Sequence, residues 1–354
     1  MILNRINKNI RNGSVAMMAA LSGLLFTNCD SMIYDESDCV ESCNLIQLVY
    51  DHNMKFADAF DSEVEQVSLL AFDAETGLLV QRMDVEENKL TDNNEIFLNL
   101  EPGKYKLLVW AGRHSESFDI AAGTVGQSTM EDFHCRMHRV EGGHINDDLS
   151  RLYHGTLELD AKYASPSKPQ KSIVYLKKDT NVIRVVLQQS GGDLDVDDYD
   201  FTITDANGWL NHDNTLREDE LLTYHPWYRY SGSVEVNVDP VDPETKSAVS
   251  LSDDTRATHS AALAEFTTGR LMWGAKPILT IRHKDTGKNV MRINVNDYAM
   301  LVKGLYNEKM SEQEYLDRQD EYNMTFFLDE DGKWLSTRVI INNWVIVRNV
   351  TPVE

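Results

Sequence analysis

The sequence predicts an all-β protein: two tandem antiparallel β-sandwich domains, with a short helix in the second. Three observations carry this. Apolar and polar residues alternate along many short runs. Turns bearing Gly, Asn or Asp separate those runs. A pattern near the start also returns halfway along: NLIQLVYD at 44–51 precedes one hairpin, and NVIRVVLQ at 181–188 precedes another. Many short strands joined by tight turns argue for sandwiches.

Residues 1–28 stand apart from this pattern. Arg5, Lys8 and Arg11 give a basic start, and VAMMAALSGLLF follows at 15–26. Such a run has the length of a signal-peptide core and is too short to span a bilayer. Thr27 and Asn28 then lead into Cys29. The arrangement resembles a bacterial lipoprotein signal, in which the cysteine takes a diacylglycerol and becomes the first residue. Phe26 and Asn28 stand where that pattern usually has Leu and Gly or Ala. An ordinary secretory signal is the alternative, with Cys29 free or disulfide-bonded.

Without this leader the chain has 326 residues, enough for about two domains. Its formal charge becomes −26, because the leader carries three basic residues and no acid. Nucleic acid and anionic headgroups would repel such a chain. No second apolar run approaches membrane length, so membrane attachment would need a covalent lipid on Cys29.

Residues 29–44 read as a flexible, acidic, lipidated tether. It holds Cys39 and Cys43, and Cys135 lies further on. With Cys29 lipidated, three cysteines remain in an oxidising compartment, enough for one disulfide. A Cys39–Cys135 bridge would close a long loop and pin the tether. Cys43 is an equally placed donor to Cys135, a Cys39–Cys43 bridge is the rival, and spacing does not choose.

Residues 45–180 form the first predicted domain. VEQVSLLAFDAETGLLVQ at 64–81 reads as a hairpin turning at Glu75-Thr76-Gly77. EIFLNLEPGKYKLLVWAG at 95–112 reads as another: Ile96, Leu98 and Leu100 share a face, Pro102-Gly103 turns, and Tyr105, Leu107 and Val109 alternate again. The polar stretch 115–132 reads as a long surface loop. QKSIVYLKKDT closes the domain as one strand.

Residues 181–354 form the second. Tyr199, Phe201 and Ile203 alternate before a turn at Asn207-Gly208. Residues 239–260 read as a loop. Hairpins turn at Thr286-Gly287 and Asp331-Gly332. Ser311 and Glu314 predict a helix start as a capping box, with Met310 and Tyr315 as its hydrophobic staple. TRVIINNWVIVRN at 337–349 reads as a last strand, with Trp344 expected on its core side.

Four stretches invite a chemical reading. HCRMH at 134–138, with His144 nearby, would group His134, His138 and Cys135 for a metal if helical, but no second ligand cluster adjoins it. His114 and Ser115 are neighbours that a strand would point apart. Asp193, Asp195 and Asp197 have the alternation of a calcium loop, but Asp198 and Thr204 stand where Gly and Glu are needed. YHPWYRY at 224–230 reads as buried core; exposed, it would stack on sugar rings or a protein partner. No catalytic motif or phosphate-binding glycine loop is present, so a non-enzyme without cofactor is expected. A glycan-binding surface protein and a secreted enzyme are the alternatives.

The ordered set of segments resembles one family. After the cysteine come "DESDC", "LVYDHNMKFADAF", "VEQVSLLAFDAETG", "LEPGKYKLLVWAG", "LYHGTLEL" and "TNVIRVVLQ". "AEFTTGRLM", "MSEQEYLDRQDEYN" and "IINNWVIVRN" follow. This order is similar to the FimB-type fimbrial anchor lipoproteins of Bacteroidetes-type bacteria, across nearly the whole mature chain. The resemblance implies two transthyretin-like sandwiches, attachment to the outer membrane through lipidated Cys29, and fimbrial subunits as partners. It also implies that the protein attaches the fimbria and limits its length. It supplies no catalytic residue.

Overall fold

The computed structural model describes residues 43–86, 93–237, 256–304 and 308–347. Cys29, Cys39 and most of the 239–260 stretch lie outside them. The all-β sandwich class expected from the sequence is what the structure has.

A three-stranded sheet orders β10 (Gln170–Tyr175), β1 (Cys43–Val49) and β4 (Glu95–Asn99). Facing it, a five-stranded sheet orders β11 (Lys177–Lys178), β9 (Leu152–Ala161), β5 (Gly103–Gly112), β2 (Gln66–Asp73) and β3 (Leu79–Glu86). The second half builds a six-stranded sheet: β16 (Tyr228–Asn237), β17 (Arg256–Gly269), β12 (Thr180–Ser190), β20 (Glu321–Leu328), β21 (Trp334–Ile341) and β22 (Trp344–Val347). Its companion orders β19 (Asn289–Asn294), β18 (Ile278–His283), β13 (Tyr199–Asp205), β15 (Leu222–Tyr224) and β8 (His144–Ile145). A small sheet joins β14 (Trp209–Asn211), β7 (His134–Met137) and β6 (Phe118–Ile120). Three short helices complete the described chain: α1 (Phe60–Glu63), α2 (Val295–Met300) and α3 (Glu312–Arg318).

The hairpins at Gly77, Gly287 and Gly332 form where the sequence places them, each glycine with positive φ. Two other expected hairpins do not form. β4 pairs with β1, whereas β5 lies between β2 and β9, so the Pro102-Gly103 turn carries the chain from one sheet to the other. β13 pairs with β15 and β18, while β14 leaves to join β7. Alternation reports which face a side chain takes; it does not report which strand lies alongside. QKSIVYLKKDT breaks for the same reason: β10 pairs with β1, and β11 pairs with β9 in the opposite sheet. The 115–132 stretch is not a plain surface loop, since it holds β6 and buries Phe118.

The helix read from the capping box is α3, and the Glu314 N–H donates to the Ser311 hydroxyl at 3.1 Å. Tyr315 is buried beneath it.

Among the described residues two hydrophobic clusters hold the fold. One fills the first sandwich with Ile46, Leu48, Val67, Leu69, Leu107 and Val109. The other joins the interior of the second sandwich (Ile183, Val185, Phe201, Phe326) to Leu70, Phe72, Leu108 and Trp110 on the far side of the five-stranded sheet. Phe118, Phe133 and Cys135, carried by the 113–149 segment, lie between. That sheet is therefore covered on both faces, which explains the continuous apolar runs SLLAF and LLVWA.

A buried polar joint lies where the halves meet. Arg270 grips Asp317 of α3 through two bonds of 2.8 and 2.7 Å, and its third nitrogen donates to the Asn214 carbonyl. Asp179, fully buried, receives the Asn214 amide at 2.9 Å and lies 3.8 Å from Arg270. Burial pushes the Asp179 carboxyl up to about 7, against the pull of Arg270. Arg318 of α3 stacks over Phe56 and donates to the Asp51 and Asn53 carbonyls, so the helix touches both halves.

Candidate functional site: the open edges and the cleft

Among the described residues the six-stranded sheet ends in β16 on one side and β22 on the other. TRVIINNWVIVRN is not one strand. Asn342 and Asn343 both take positive φ, the conformation of a two-residue hairpin turn, and they fold β22 back along β21. The Asn342 N–H donates to the Asn323 carbonyl, and the Asn342 side chain accepts from the Asn323 N–H, which docks the turn on β20.

This turn overturns the expectation for Trp344. Placed on an outermost strand, it is 54% exposed, while Val345 and Val347 are 55% and 68% exposed. The core positions of the stretch are Val339 and Ile341 on β21. Within such a hairpin the flanking pair Ile341/Trp344 exchanges both backbone bonds, and pairs then alternate. The N–H groups of Val345 and Val347 therefore point away from β21, toward the open side.

YHPWYRY divides. Tyr224 is buried and donates to the Asn207 side chain at 2.5 Å, as the core reading expects. Trp227, Tyr228 and Tyr230 are exposed, against that reading, because they lie on or beside edge strand β16. Trp227 lines a cleft of about 470 Å³ between the halves, with Arg113, Arg151, Arg184, Glu65 and Glu265. Most of these charges already pair within the cleft: Arg184 with Glu265 at 2.6 Å, Arg151 with Glu63 at 2.8 Å, and Arg113 with Glu65.

The other sequence candidates are dispersed. HCRMH is mostly strand β7 rather than helix. Cys135 points into the core, His134 packs edge-on against Trp209, and His138 pairs with Asp119 at 3.1 Å. His144 pairs instead with His225 at 2.9 Å. Among the described residues no group of three potential ligands is placed to hold a metal. Burial raises the Cys135 thiol well above its ordinary value, as befits an apolar core residue. Cys43 opens β1 and is not bonded to Cys135. Pairings with Cys39, like the lipid site Cys29, fall outside the described residues.

His114 sits in a one-turn helix, and Ser115 faces Gln66 instead. A different trio assembles there: Ser68 donates to Asp84 at 2.6 Å and lies 3.4 Å from His114. The order is wrong for nucleophile activation, since the serine sits between acid and imidazole and gives its proton to the acid. Burial lowers His114 to about 4. Asp195 accepts from the Asp197 N–H and the Ser231 hydroxyl, and Asp197 pairs with Arg229. These acids pin the 195–198 turn to β16.

Fold and surface together define an all-β, two-sandwich protein with exposed sheet edges and an open cleft. Residues 36–350 match the family described as Mfa2: fimbrillin-A associated anchor proteins Mfa1 and Mfa2. The chain belongs to this family, as the ordered segments indicate. It is 22% identical over 339 residues to the minor fimbrium anchoring subunit Mfa2 of Porphyromonas gingivalis, covering 94% of this chain and 93% of that protein. The solved structure of the fimbrial anchor protein Mfa2 from that organism superposes with a TM-score of 0.61 at 18% identity, over 86% of this chain and 99% of that one. A Bacteroides thetaiotaomicron structure whose description proposes polysaccharide binding superposes with a TM-score of 0.71 at 31% identity, over 86% and 97%. The family is one of structural fimbrial anchors, and a fimbria-associated role at the cell surface follows from membership.

Proposed function

We propose that this chain is a lipid-held anchor that fixes a fimbria to the outer membrane and limits its length. The carrying observation is the open edge strand β22, apolar and exposed, in a chain of the fimbrial anchor family. A fimbrial subunit pairs an extended strand with its outward backbone groups. Lipid on Cys29 supplies the attachment. One acyl chain holds a protein only marginally, whereas two or more hold it stably.

Two substitutions test the two parts separately. Cys29→Ala should move the protein from the detergent phase to the aqueous phase while its melting transition stays put. Wild-type protein already in the aqueous phase would remove the lipid anchor. Val347→Pro deletes an outward N–H and leaves the β21 ladder intact, so the variant should fold normally and retain fewer fimbriae. Wild-type retention would exclude strand pairing at β22.

A glycan-binding reading has its own support. Trp227 is 38% exposed at the mouth of the cleft beside paired arginines and glutamates, a setting suited to a sugar ring. The relative described for polysaccharide binding agrees with it. Trp227→Ala should then abolish retention on a polysaccharide column; equal elution of both proteins, or no retention of wild type, removes this reading.

A further inference from the structure

The outer face of the six-stranded sheet carries a row, apolar except for Thr325 on β20, that crosses every strand. The pairing registers align Tyr230, Leu263, Val186, Thr325, Ile340 and Val345, one from each strand in turn. The opposite faces of these strands fill the core with Ala264, Val185, Met324 and Val339. At roughly 4.8 Å per strand the row is about 24 Å long. Tyr230 at one end is 57% exposed, Val345 at the other is open, and the four between are half-buried. A sheet face turned to water is ordinarily polar, so an apolar row across it marks an interaction surface.

We infer that this face, and not the β22 edge alone, is where a fimbrial subunit seats; the inference rests on the fimbrial-anchor reading. Charge selects the occupant. A second copy would bring another strongly acidic chain, net −23, against the first. Charged groups beside the row are few: Arg184 and Glu265 neutralise each other at 2.6 Å, and Arg338 lies over Phe327 at 4.6 Å. The occupant therefore presents an apolar centre and does not carry the strong net negative charge of this chain. The row also runs straight into β22. A subunit strand paired there would extend it by one position, so that edge and face form one continuous footprint.

The test replaces Tyr230 and Val345, one at a time, with a photoreactive phenylalanine analogue in the full chain, in cells that make fimbriae. After illumination, adducts are identified by mass spectrometry. Crosslinks from both positions to a fimbrial subunit are expected. The double variant Tyr230→Asp/Val345→Asp, with an unchanged melting transition, should retain at least tenfold less subunit. The inference is overturned if either position instead joins residues 238–255 or 348–354 of the same chain, joins a second copy, or gives no adduct while the subunit still co-purifies. Full retention by a folded double variant overturns it too. If no fimbrial subunit co-purifies at all, the anchor reading fails first and takes this inference with it.

Discussion

Arg270→Ala should destabilise the folded chain by roughly 3–5 kcal/mol, read as a lower midpoint in urea. The cost arises from what remains. Asp317 would lose both of its guanidinium bonds, and the fully buried Asp179 would lose the nearest cation that favours its charged form. Neither carboxylate reaches water easily, and an unpaired buried charge is far more costly than an absent pair. Replacing Arg270 and Asp317 together with Met and Leu should therefore recover the part of the loss that comes from a stranded Asp317, while the part that comes from Asp179 losing its cation remains. A change below about 1 kcal/mol in Arg270→Ala would show that water enters the joint. Because α3 also reaches Asp51 and Asn53, a loosened joint should weaken the register of the two halves before either sandwich core melts.

Trp110→Ala should cost a similar roughly 3–5 kcal/mol, whereas Trp344→Ala should stay within about 0.5 kcal/mol. Trp110 is wholly buried on the doubly covered five-stranded sheet, against His154 at 4.7 Å. Its removal leaves a large cavity between rigid layers with little room to collapse. Trp344 lies more than half in solvent on the last strand, so its loss opens no cavity. Thermal unfolding of the two variants side by side decides the point. Equal losses would mean that Trp344 is covered in solution and that the edge is not open. The same exposure that makes Trp344 cheap to remove for folding makes it available to a partner, because large aromatic side chains near an interface centre contribute most of the binding energy.

The sequence by itself determined the class of this protein, and the reason is local. Period-two alternation in YDFTIT fixes a strand whatever its neighbours, and Gly77, Gly287 and Gly332 fix tight turns through their backbone freedom. Ser311 and Tyr315 fix the start of α3 within one turn of chain. The ordered segments likewise sufficed for the family. Tertiary structure alone decided which strands lie side by side. Pro102-Gly103 and Asn207-Gly208 have the chemistry of hairpin turns, yet they pass the chain to other sheets, because pairing is a long-range choice that alternation does not encode. Leu108 and Trp110 face outward from the first sandwich and are buried only because the 113–149 segment and the second half close over them. Trp344 reverses that case: it is apolar enough for any core and is left exposed because Asn342-Asn343 fold β22 outside the last supporting strand. The apolar row from Tyr230 to Val345 draws one residue from each of six strands spread over more than a hundred positions, so only the register of the assembled sheet brings it into being.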